Sequence, residues 1–308
     1  MILNTNMKRL SGISVSRFLI LLILATGICS CGTGSKYASL QAELEEFVAD
    51  KDAKIGVAVI IDGKDTVAVN GNEQFPMMSV YKFPIAMAVV KYCRLHNMDF
   101  TDSCSVTRAD LHTDTYSPMM KKYGDTDSTR IAVSELLAYS LQQSDNNASD
   151  ILLNLFDSPE VVDLYISNLG IDGINIAWSE DDMHKKPGLC YENSSTPIAM
   201  AQLMDMFDRE HNDPLSAEIK RLMESCETGT DRLAKPLMPT NAVIGHKTGT
   251  GDTTPDGRLM AVNDAGYVHL PNGHRYSIAV FIAYSGYDMA QTSKLIADIS
   301  AIVAAGIQ

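Results

Sequence analysis

The run IGVAVIID at residues 55–62 sets the fold at the start of the chain. Its apolar residues are continuous, which predicts a buried β-strand. Asp62-Gly63 is a turn signal, and DTVAVN at 65–70 is expected to return as the partner strand of a hairpin. A helix is predicted just before, over 39–50, because apolar residues recur there on one helical face. The chain therefore begins with a helix and two paired strands.

The C-terminal part of the chain supplies the other predicted strands. They are AVIGHKTGT (242–250), AGYVHL (265–270) and YSIAVFIA (276–283), followed by a helix over about 287–305. The middle is mostly helical, with helices predicted over 80–97, 131–143, 146–156, 159–169 and 216–226 and from Pro197. This order predicts an α/β (α+β) fold, with one antiparallel sheet built from both chain termini and flanked by helices. Residues 32–77 and 227–308 are expected to form the α/β domain, and 78–226 an all-helical domain.

The composition excludes several classes of protein. With 45% apolar and 20% charged residues, the chain is neither an extended disordered protein nor a polytopic membrane protein. Acidic residues outnumber basic ones by 38 to 25, so phosphate backbones would repel the chain and nucleic-acid binding is not expected. The seven histidines show neither HxH nor HExxH spacing, so the sequence predicts no metal site and no other cofactor.

Four cysteines lie in the body of the chain: Cys93, Cys104, Cys190 and Cys226. One or two disulfides among them are compatible with an oxidising compartment, and the spacing leaves their pairing open. Four cysteines in a chain this long exclude a disulfide-dense scaffold.

The first thirty residues have the layout of a secretory signal. Lys8 and Arg9 precede an apolar run at 18–28, which is short for a membrane span. Cys31 follows a small residue soon after this run, as in a bacterial lipoprotein cleavage site. We therefore predict a signal peptide over 1–31, export to the periplasm and a lipid anchor at Cys31. Ordinary signal cleavage nearby, which would leave a free periplasmic protein, is the alternative.

The quartet Ser79-Val80-Tyr81-Lys82 is the first candidate for chemistry. Near a helix start, Ser79 and Lys82 would lie on one face, one turn apart. A partly desolvated lysine can take the proton of a serine hydroxyl, and the helix dipole favours negative charge at the serine oxygen. Serine and lysine are common, so this quartet by itself is equally typical of a chance surface pair.

Two further polar motifs stand at the ends of predicted elements. Ser144-Asp145-Asn146 precedes an apolar helix, where such residues are typical of an N-cap. Lys247-Thr248-Gly249-Thr250 ends a predicted strand. Its lysine can hold a carboxylate, its hydroxyls can add hydrogen bonds and its glycine lets a ligand approach the backbone. The alternative for Lys247 is a lysine that protects an edge strand from aggregation.

Taken together and in this order, the three motifs resemble the SxxK, SDN and KTG set of serine β-lactamases and DD-peptidases. The resemblance spans about residues 39–305 and is strongest to class A β-lactamases of the CfxA/CblA-like cephalosporinase branch of Bacteroidetes. The shared phrases are FPMMSVYKF, TYSPM, QSDNNASD, ETGTDRL, GHKTGTGD and NDAGYVHLP. The resemblance implies a β-lactamase/DD-peptidase-like fold and a monomer.

The resemblance also assigns catalytic roles. Ser79 would attack the lactam carbonyl, and Lys82 or Glu180, acting through a water, would take its proton. Ser144 would pass a proton to the departing lactam nitrogen, with Lys247 polarising its hydroxyl. Glu180 would then activate the water that frees the serine.

Glu180 belongs to an omega-like loop over about 175–193. His184, four positions after Glu180, is expected to help hold the water. Trp178 and Asn193 stand where family members have a loop-closing ion pair, so that pair is absent. Without the resemblance, the run Glu180-Asp-Asp is typical of a solvated acidic loop.

The substrate-binding residues that the resemblance implies are Tyr116, Asn146, His184, Arg232, Lys247, Thr248, Gly249 and Thr250. The N–H groups of Ser79 and Thr250 would form the oxyanion hole. Asn146 would bind the amide side chain of the drug, and the KTG segment its carboxylate. Arg232 matches an arginine that other members place near this carboxylate, with Arg258 as a second option. Tyr116 resembles the aromatic residue at the pocket mouth, although a tyrosine before a turn is also typical of packing.

The function implied is hydrolysis of the lactam amide of cephalosporins and penicillins through a Ser79 acyl-enzyme, which confers antibiotic resistance. Met78 and Gly251 occupy the positions where some carbapenem-hydrolysing members carry a disulfide, so that type is not expected. A penicillin-binding DD-peptidase, which needs no Glu180, is one alternative. A non-hydrolysing β-lactam sensor that stays acylated is another.

Overall fold

The computed structural model describes residues 36–210 and 213–307. The predicted signal peptide and the lipid anchor at Cys31 lie outside these residues. Among the described residues, no helix combines the length and the apolar character that a membrane span requires.

Helices and strands are mixed along the chain. The strands are β1 (Lys54–Ile61), β2 (Asp65–Val69), β3 (Phe75–Pro76), β4 (Ser103–Thr107), β5 (Ser128–Ala132), β6 (Ile174–Asn175), β7 (Ser194–Ser195), β8 (Val243–Thr250), β9 (Leu259–His269) and β10 (Arg275–Ser285). The helices are α1 (Ala38–Ala49), α2 (Lys82–His96), α3 (Met120–Tyr123), α4 (Val133–Gln142), α5 (Asn146–Leu153), α6 (Glu160–Asn168), α7 (Glu180–Lys185), α8 (Pro197–Glu210), α9 (Pro214–Glu224) and α10 (Met289–Gly306).

The main sheet has five antiparallel strands in the order β2-β1-β10-β9-β8. Strand β1 lies between β2 and β10, with Val57 opposite both Val69 of β2 and Val280 of β10. Its side chains are covered on both faces, which explains why residues 55–61 are apolar without alternation. Helices α1 and α10 cover one face and α8 covers the other. The predicted sheet from both chain termini is confirmed.

One apolar core joins this sheet to the helices of the middle part. Ala58 and Phe281 of the sheet belong to the same buried cluster as Leu136 of α4. In that cluster Phe83 of α2 meets Phe207 of α8 edge to face, with ring centroids 5.2 Å apart. The division into an α/β domain and a helical domain at residues 78 and 227 stays a prediction.

Three elements differ from their predicted bounds. The helix predicted over 131–143 begins at Val133, because residues 128–132 form β5, which pairs with the equally unpredicted β4. The strand predicted over 265–270 is the end of the longer β9. The helix predicted over 80–97 is preceded by a 3-10 turn, Met78–Tyr81. In short strands such as β5, only one residue is fully buried, so periodicity carries little signal.

The four cysteines Cys93, Cys104, Cys190 and Cys226 are free thiols. None of the one or two disulfides that the sequence allowed is formed among them. The Cys190 thiol contacts the Met260 thioether and the Cys226 thiol contacts Thr228. These two sulfur atoms therefore meet partners other than cysteine.

Candidate active site

Ser79 lies in the 3-10 turn directly before α2. The backbone N–H of Lys82 donates to the Ser79 carbonyl, so the two residues are one turn apart, as predicted. Met78 has a left-handed φ of 47°, a conformation that non-glycine residues rarely adopt. Such backbone positions occur at functional sites, where the surrounding structure holds them.

Lys82 connects three other predicted residues. Its ammonium is fully buried and donates to the Ser144 carbonyl at 2.7 Å and to Oδ1 of Asn146 at 2.6 Å. Oε1 of Glu180 lies 3.0 Å from the same nitrogen. The contact with Glu180 is an ion pair without hydrogen-bond geometry, since Oε1 of Glu180 has no hydrogen-bond partner. Lys82 therefore donates two hydrogen bonds and has a carboxylate as its charge partner.

The segment Ser144–Asn146 combines capping with a site position. Asp145 is the N-cap of α5, and its buried carboxylate accepts hydrogen bonds from the N–H groups of Ala148 at 2.9 Å and Met119 at 2.7 Å. Ser144 has a left-handed φ of 60°, and its Oγ accepts a hydrogen bond from Nζ of Lys247 at 2.9 Å. The predicted N-cap and the predicted site residue are thus neighbours.

Lys247 and its neighbours on β8 form what we call the strand wall, residues 247–250. Lys247 is completely buried, so the alternative of a lysine that protects an edge strand is wrong. Burial lowers the pKa of Lys247 to about 7. The Lys247 ammonium donates to Oγ of Ser144 and to the carbonyl of the adjacent Thr248, both at 2.9 Å.

Gly249 of the strand wall is required for a reason other than the predicted one. A Cβ there would lie 2.4 Å from the carbonyl oxygen of Met77, so the strand packs directly against the segment before Ser79. Asn263 on β9 holds the same segment by donating from Nδ2 to the carbonyls of Pro76 at 2.8 Å and Met77 at 3.1 Å. Sequence reasoning quoted Asn263 within a shared phrase but gave it no role.

Of the two arginines proposed for the substrate carboxylate, the structure brings only Arg232 to the site. Its buried guanidinium donates to Oγ1 of Thr250 at 2.7 Å and to the carbonyls of Asn263 at 2.9 Å and Gly249 at 3.1 Å. Arg258 instead binds Asp52 and the Tyr284 carbonyl and does not line the cavity. The second option is therefore wrong.

The opposite side of the site is what we call the loop wall, residues 177–193. Glu180 is the first residue of α7, and Ser179 caps this helix. Asp150 on α5 accepts hydrogen bonds from the N–H groups of Glu180 and Asp181, both at 2.8 Å. Burial raises the pKa of Asp150 to about 7, and the nearby Glu180 carboxylate adds to this rise. Sequence reasoning missed Asp150, although it ends the quoted phrase QSDNNASD.

The three acidic residues at 180–182 have different partners. Glu180 meets Lys82, Asp181 pairs with Lys185, and Asp182 closes the capping box with Ser179. The Glu180 side chain is only 13% exposed, so it does not belong to a solvated acidic loop.

A second side chain that closes the loop wall is Asn193. Its Oδ1 accepts from the N–H groups of Ala177 at 2.9 Å and Trp178 at 3.0 Å, and its Nδ2 donates to the Trp178 carbonyl at 2.7 Å. The sequence indicated that the usual ion pair between positions 178 and 193 is absent. The structure shows that one buried amide replaces it by hydrogen bonds to backbone.

His184 lines the same cavity as Glu180 but has a different hydrogen-bond partner. Its Nε2 lies 3.0 Å from Oδ2 of Asp114, on the other side of the cavity mouth. Both side chains are exposed. The expectation that His184 helps to hold a water for Glu180 stays a prediction.

A cavity of about 610 Å³ lies between the two walls. The predicted residues that line it are Ser79, Tyr116, Ser144, Asn146, Glu180, His184, Arg232, Thr248 and Thr250. Tyr116 is 60% exposed, as expected for a residue at the mouth. Lys82, Lys247 and Gly249 lie behind these residues, where they support the lining rather than form it. Met78 and Gly251 are neighbours, as the family disulfide positions require, and neither is a cysteine.

Comparison with known proteins gives consistent results. A family model described as the beta-lactamase enzyme family matches residues 39–307. A beta-lactamase of Bacteroides uniformis is 36% identical over 289 residues, which covers 93% of this chain and 97% of the relative. Beta-lactamase VEB-1 of Pseudomonas aeruginosa is 35% identical over 86% of this chain and 89% of its own.

Solved structures agree with the sequence relatives. A class A beta-lactamase from Bacteroides cellulosilyticus superposes with a TM-score of 0.84 at 34% identity, covering 89% of this chain and 98% of that one. The TLA-1 extended spectrum beta-lactamase superposes with a TM-score of 0.85 at 34% identity, covering 89% of this chain and 100% of its own.

Proposed function

The chain belongs to the beta-lactamase enzyme family and is a class A serine β-lactamase, and we propose how its residues divide the reaction. As a hydrolase of this class it opens the amide bond of β-lactam antibiotics and thereby confers resistance. The observation that carries the assignment of roles is the buried Lys82 ammonium, which connects Ser144, Asn146 and Glu180.

In acylation, Ser79 attacks the lactam carbonyl while its proton goes through a water to Glu180. The sequence left Lys82 and Glu180 open as the base. Lys82 donates to two oxygens and forms an ion pair with the Glu180 carboxylate, and we assign the base to Glu180 because an ammonium has no lone pair to accept a proton. Its positive charge instead stabilises the Glu180 carboxylate and the negative charge that develops at the serine oxygen.

Departure of the lactam nitrogen requires a proton, which Ser144 provides. Because Lys247 donates to Oγ of Ser144, the hydroxyl hydrogen of Ser144 is free to point into the cavity. Lys247 also makes the hydroxyl a better acid by stabilising the negative charge that remains when the proton leaves.

Deacylation depends on Glu180, which activates the water that attacks the acyl-enzyme. Its carboxylate position is fixed by Lys82 and, through the backbone, by Asp150. A DD-peptidase or a sensor has no need of a carboxylate held in this way. The arrangement therefore supports turnover rather than permanent acylation.

Cephalosporins and penicillins carry a carboxylate beside the lactam ring, and the strand wall is suited to hold it. Arg232, Thr248 and Thr250 provide a buried guanidinium and two hydroxyls on one side of the cavity. Asn146 uses one hydrogen of Nδ2 on Thr115 and retains the second for the amide side chain of the drug. The relatives that are named extended-spectrum enzymes, PER-1 and TLA-1, support a preference for cephalosporins.

The cellular setting is proposed from residues 1–31 alone. The signal pattern supports export to the periplasm, with Cys31 as a lipid anchor. The enzyme is expected to act as a monomer, as the family resemblance implies.

The experiment that tests this division of roles compares the wild-type enzyme with Glu180→Ala on a chromogenic cephalosporin. We expect multiple turnover in the wild type and, in the variant, a stable acyl adduct on Ser79 by mass spectrometry. Asp181→Ala is the matched control, because Asp181 is adjacent but pairs with Lys185, and it should turn over. One burst equal to the enzyme concentration in the wild type would instead indicate a DD-peptidase or sensor. Accumulation of the adduct in Asp181→Ala alone would show that Asp181, and not Glu180, is the base.

A further inference from the structure

Behind the strand wall lies a group of three side chains that the reaction described above does not use. His246 on β8 and Asp264 on β9 are almost fully buried, and Nδ1 of His246 lies 2.9 Å from Oδ1 of Asp264. Cys226, in the loop after α9, is half-buried, and the charge of His246 acts on its thiol. We call these three residues the Cys–His–Asp array.

From this array a chain of hydrogen bonds continues to the cavity. Sγ of Cys226 lies 3.4 Å from Oγ1 of Thr228, which lies 2.6 Å from Oγ1 of Thr248. Thr248 and Thr228 both line the cavity. Gly229 has a φ of +65° and a Cβ there would lie 2.4 Å from Cγ2 of Thr248, so the two segments are packed as closely as they can be. The contacts connect Cys226 to the surface that faces the substrate.

The direction of each hydrogen bond in this chain depends on the next one. A hydroxyl has one hydrogen, so only one of Thr228 and Thr248 donates across their 2.6 Å contact. The Cys226 thiol can donate to Oγ1 of Thr228, to the Thr228 carbonyl at 3.5 Å or to the Leu141 carbonyl at 3.9 Å. In each case Oγ1 of Thr228 can donate to Thr248, and Thr248 keeps its hydrogen for the substrate carboxylate. When Cys226 is a thiolate, Thr228 donates to the sulfur. Thr248 must then donate to Thr228 and presents only lone pairs to the carboxylate.

We infer that Cys226 is a positioning residue that sets the direction of the Thr228–Thr248 hydrogen bond. Cys226 thereby decides whether Thr248 donates a hydrogen bond to the substrate carboxylate. The inference rests on the proposed function, in which Thr248 binds that carboxylate.

The charges around Cys226 bring its ionisation into the working range of pH. Burial by itself raises the pKa of the thiol, but the His246 side chain and the Lys247 ammonium lower it to about 7. His246 is the cationic partner, because the Asp264 carboxylate outweighs the effect of burial and raises its pKa to about 10. Arg232 adds a further positive charge on the loop that carries Cys226. The thiol is therefore protonated below about pH 7 and is a thiolate above it.

The expected consequence is a KM for the substrate that rises with pH. Loss of one hydrogen bond to a charged group weakens binding on the order of tenfold, so KM should rise by about that factor between about pH 6 and about pH 8. Lys247 also titrates in this range, since burial lowers its pKa to about 7. The test must therefore separate the thiol from the lysine.

The test measures KM for a chromogenic cephalosporin against pH in the wild type, Cys226→Ser and Thr228→Val. A serine hydroxyl does not ionise in this range, and a valine interrupts the chain while leaving the thiol in place. We expect both variants to lose most of the pH-dependent rise in KM. The pH dependence of the thiolate ultraviolet absorbance should disappear in Cys226→Ser and remain in Thr228→Val. Cys104→Ser, on the remote strand β4, is the control and should keep the wild-type profile.

Two further results would overturn the inference in distinguishable ways. If Cys226→Ser keeps the full rise in KM while Thr248→Val raises KM at low pH, Lys247 alone causes the pH dependence and only the inference is wrong. If Thr248→Val leaves KM unchanged, the proposed carboxylate contact is wrong and the inference is wrong with it. Thermal unfolding of each variant identifies any that fail to fold, and Cys226→Ala then replaces Cys226→Ser.

Discussion

The two walls of the active site are built in different ways. The strand wall, residues 247–250, lies in an antiparallel sheet, where each residue faces a partner on β9 from Lys247↔Ala265 to Thr250↔Val262. The loop wall, residues 177–193, contains only the short helices Glu180–Lys185 and Pro187–Tyr191. Two side chains hold its backbone by accepting hydrogen bonds from N–H groups. Asp150 comes from outside the loop wall, on α5, and Asn193 is its last residue.

This difference determines how each wall responds to substitution. A ladder of backbone hydrogen bonds survives the replacement of a side chain, because every residue contributes the same groups. A loop whose N–H groups are satisfied by one carboxylate or one amide loses several bonds at once when that side chain is removed. Substitutions that remove these side chains should therefore change the stability and geometry of the loop wall. Substitutions in the strand wall should leave its backbone in place and change substrate contacts or, at Lys247, the proton transfer by Ser144.

Asn193→Ala should have the largest effect, because it removes three hydrogen bonds to part-buried backbone of the loop wall. At about 1 kcal/mol for each bond, the free energy of unfolding should fall by about 3 kcal/mol. Urea unfolding followed by circular dichroism measures this change. Asn272→Ala is the control, since that exposed amide makes two hydrogen bonds, to the Ile307 carbonyl and from the His274 N–H, and it should lose less than about 2 kcal/mol. Equal losses in both variants would contradict the importance of Asn193 for the loop.

Asp150→Ala should reduce kcat by about 100-fold, because Glu180 would lose the fixed position that its activation of water requires. The acyl-enzyme should accumulate, since the strand wall and Ser79 are unaffected. Rapid-quench mass spectrometry during turnover measures the acylated fraction. Asp150→Asn is the matched variant: its Oδ1 can still accept from the backbone, so its kcat should lie between the two. An Asp150→Ala enzyme with wild-type kcat would show that the loop wall holds Glu180 without this anchor.

Arg232→Lys should raise KM by about tenfold with little change in kcat, because a lysine cannot reproduce the fork of donors that reaches Thr250, Gly249 and Asn263. Steady-state kinetics with the chromogenic cephalosporin measures both constants. Arg258→Lys serves as control and should leave KM unchanged, since Arg258 binds Asp52 outside the cavity. A fall in kcat as large as the rise in KM would mean that Arg232 also takes part in the chemical steps.

Tyr116→Ala should have the smallest effect, less than about threefold on kcat/KM, because an exposed side chain at the mouth contributes little. Tyr116→Phe should be indistinguishable from the wild type in the same assay. A loss above tenfold in Tyr116→Ala would place this side chain among the groups that orient the substrate.

Local patterns in the sequence carried most of the fold and the center of the site. The continuous apolar runs predicted the central strands β1 and β10, and the two strand regions predicted one sheet from both chain termini. The SxxK, SDN and KTG motifs predicted Ser79, Lys82, Ser144 and Lys247, which the structure brings to one cavity or directly behind it. Spacing within one helix explains why Ser79 and Lys82 share a face. The resemblance, and not the spacing, joined the three motifs into one predicted site.

The supporting contacts depend on tertiary structure. Asn263 binds the carbonyl of Pro76, which is 187 positions away, and Asp150 binds Glu180, which is 30 positions away. Periodicity reports only on neighbours along one element, so it assigned neither residue a role. The sequence by itself, through the family resemblance, indicated the groups that we propose for the reaction. The packing of distant segments decided what holds Glu180 in place, why Gly249 is required and how Cys226 is connected to the cavity through Thr228.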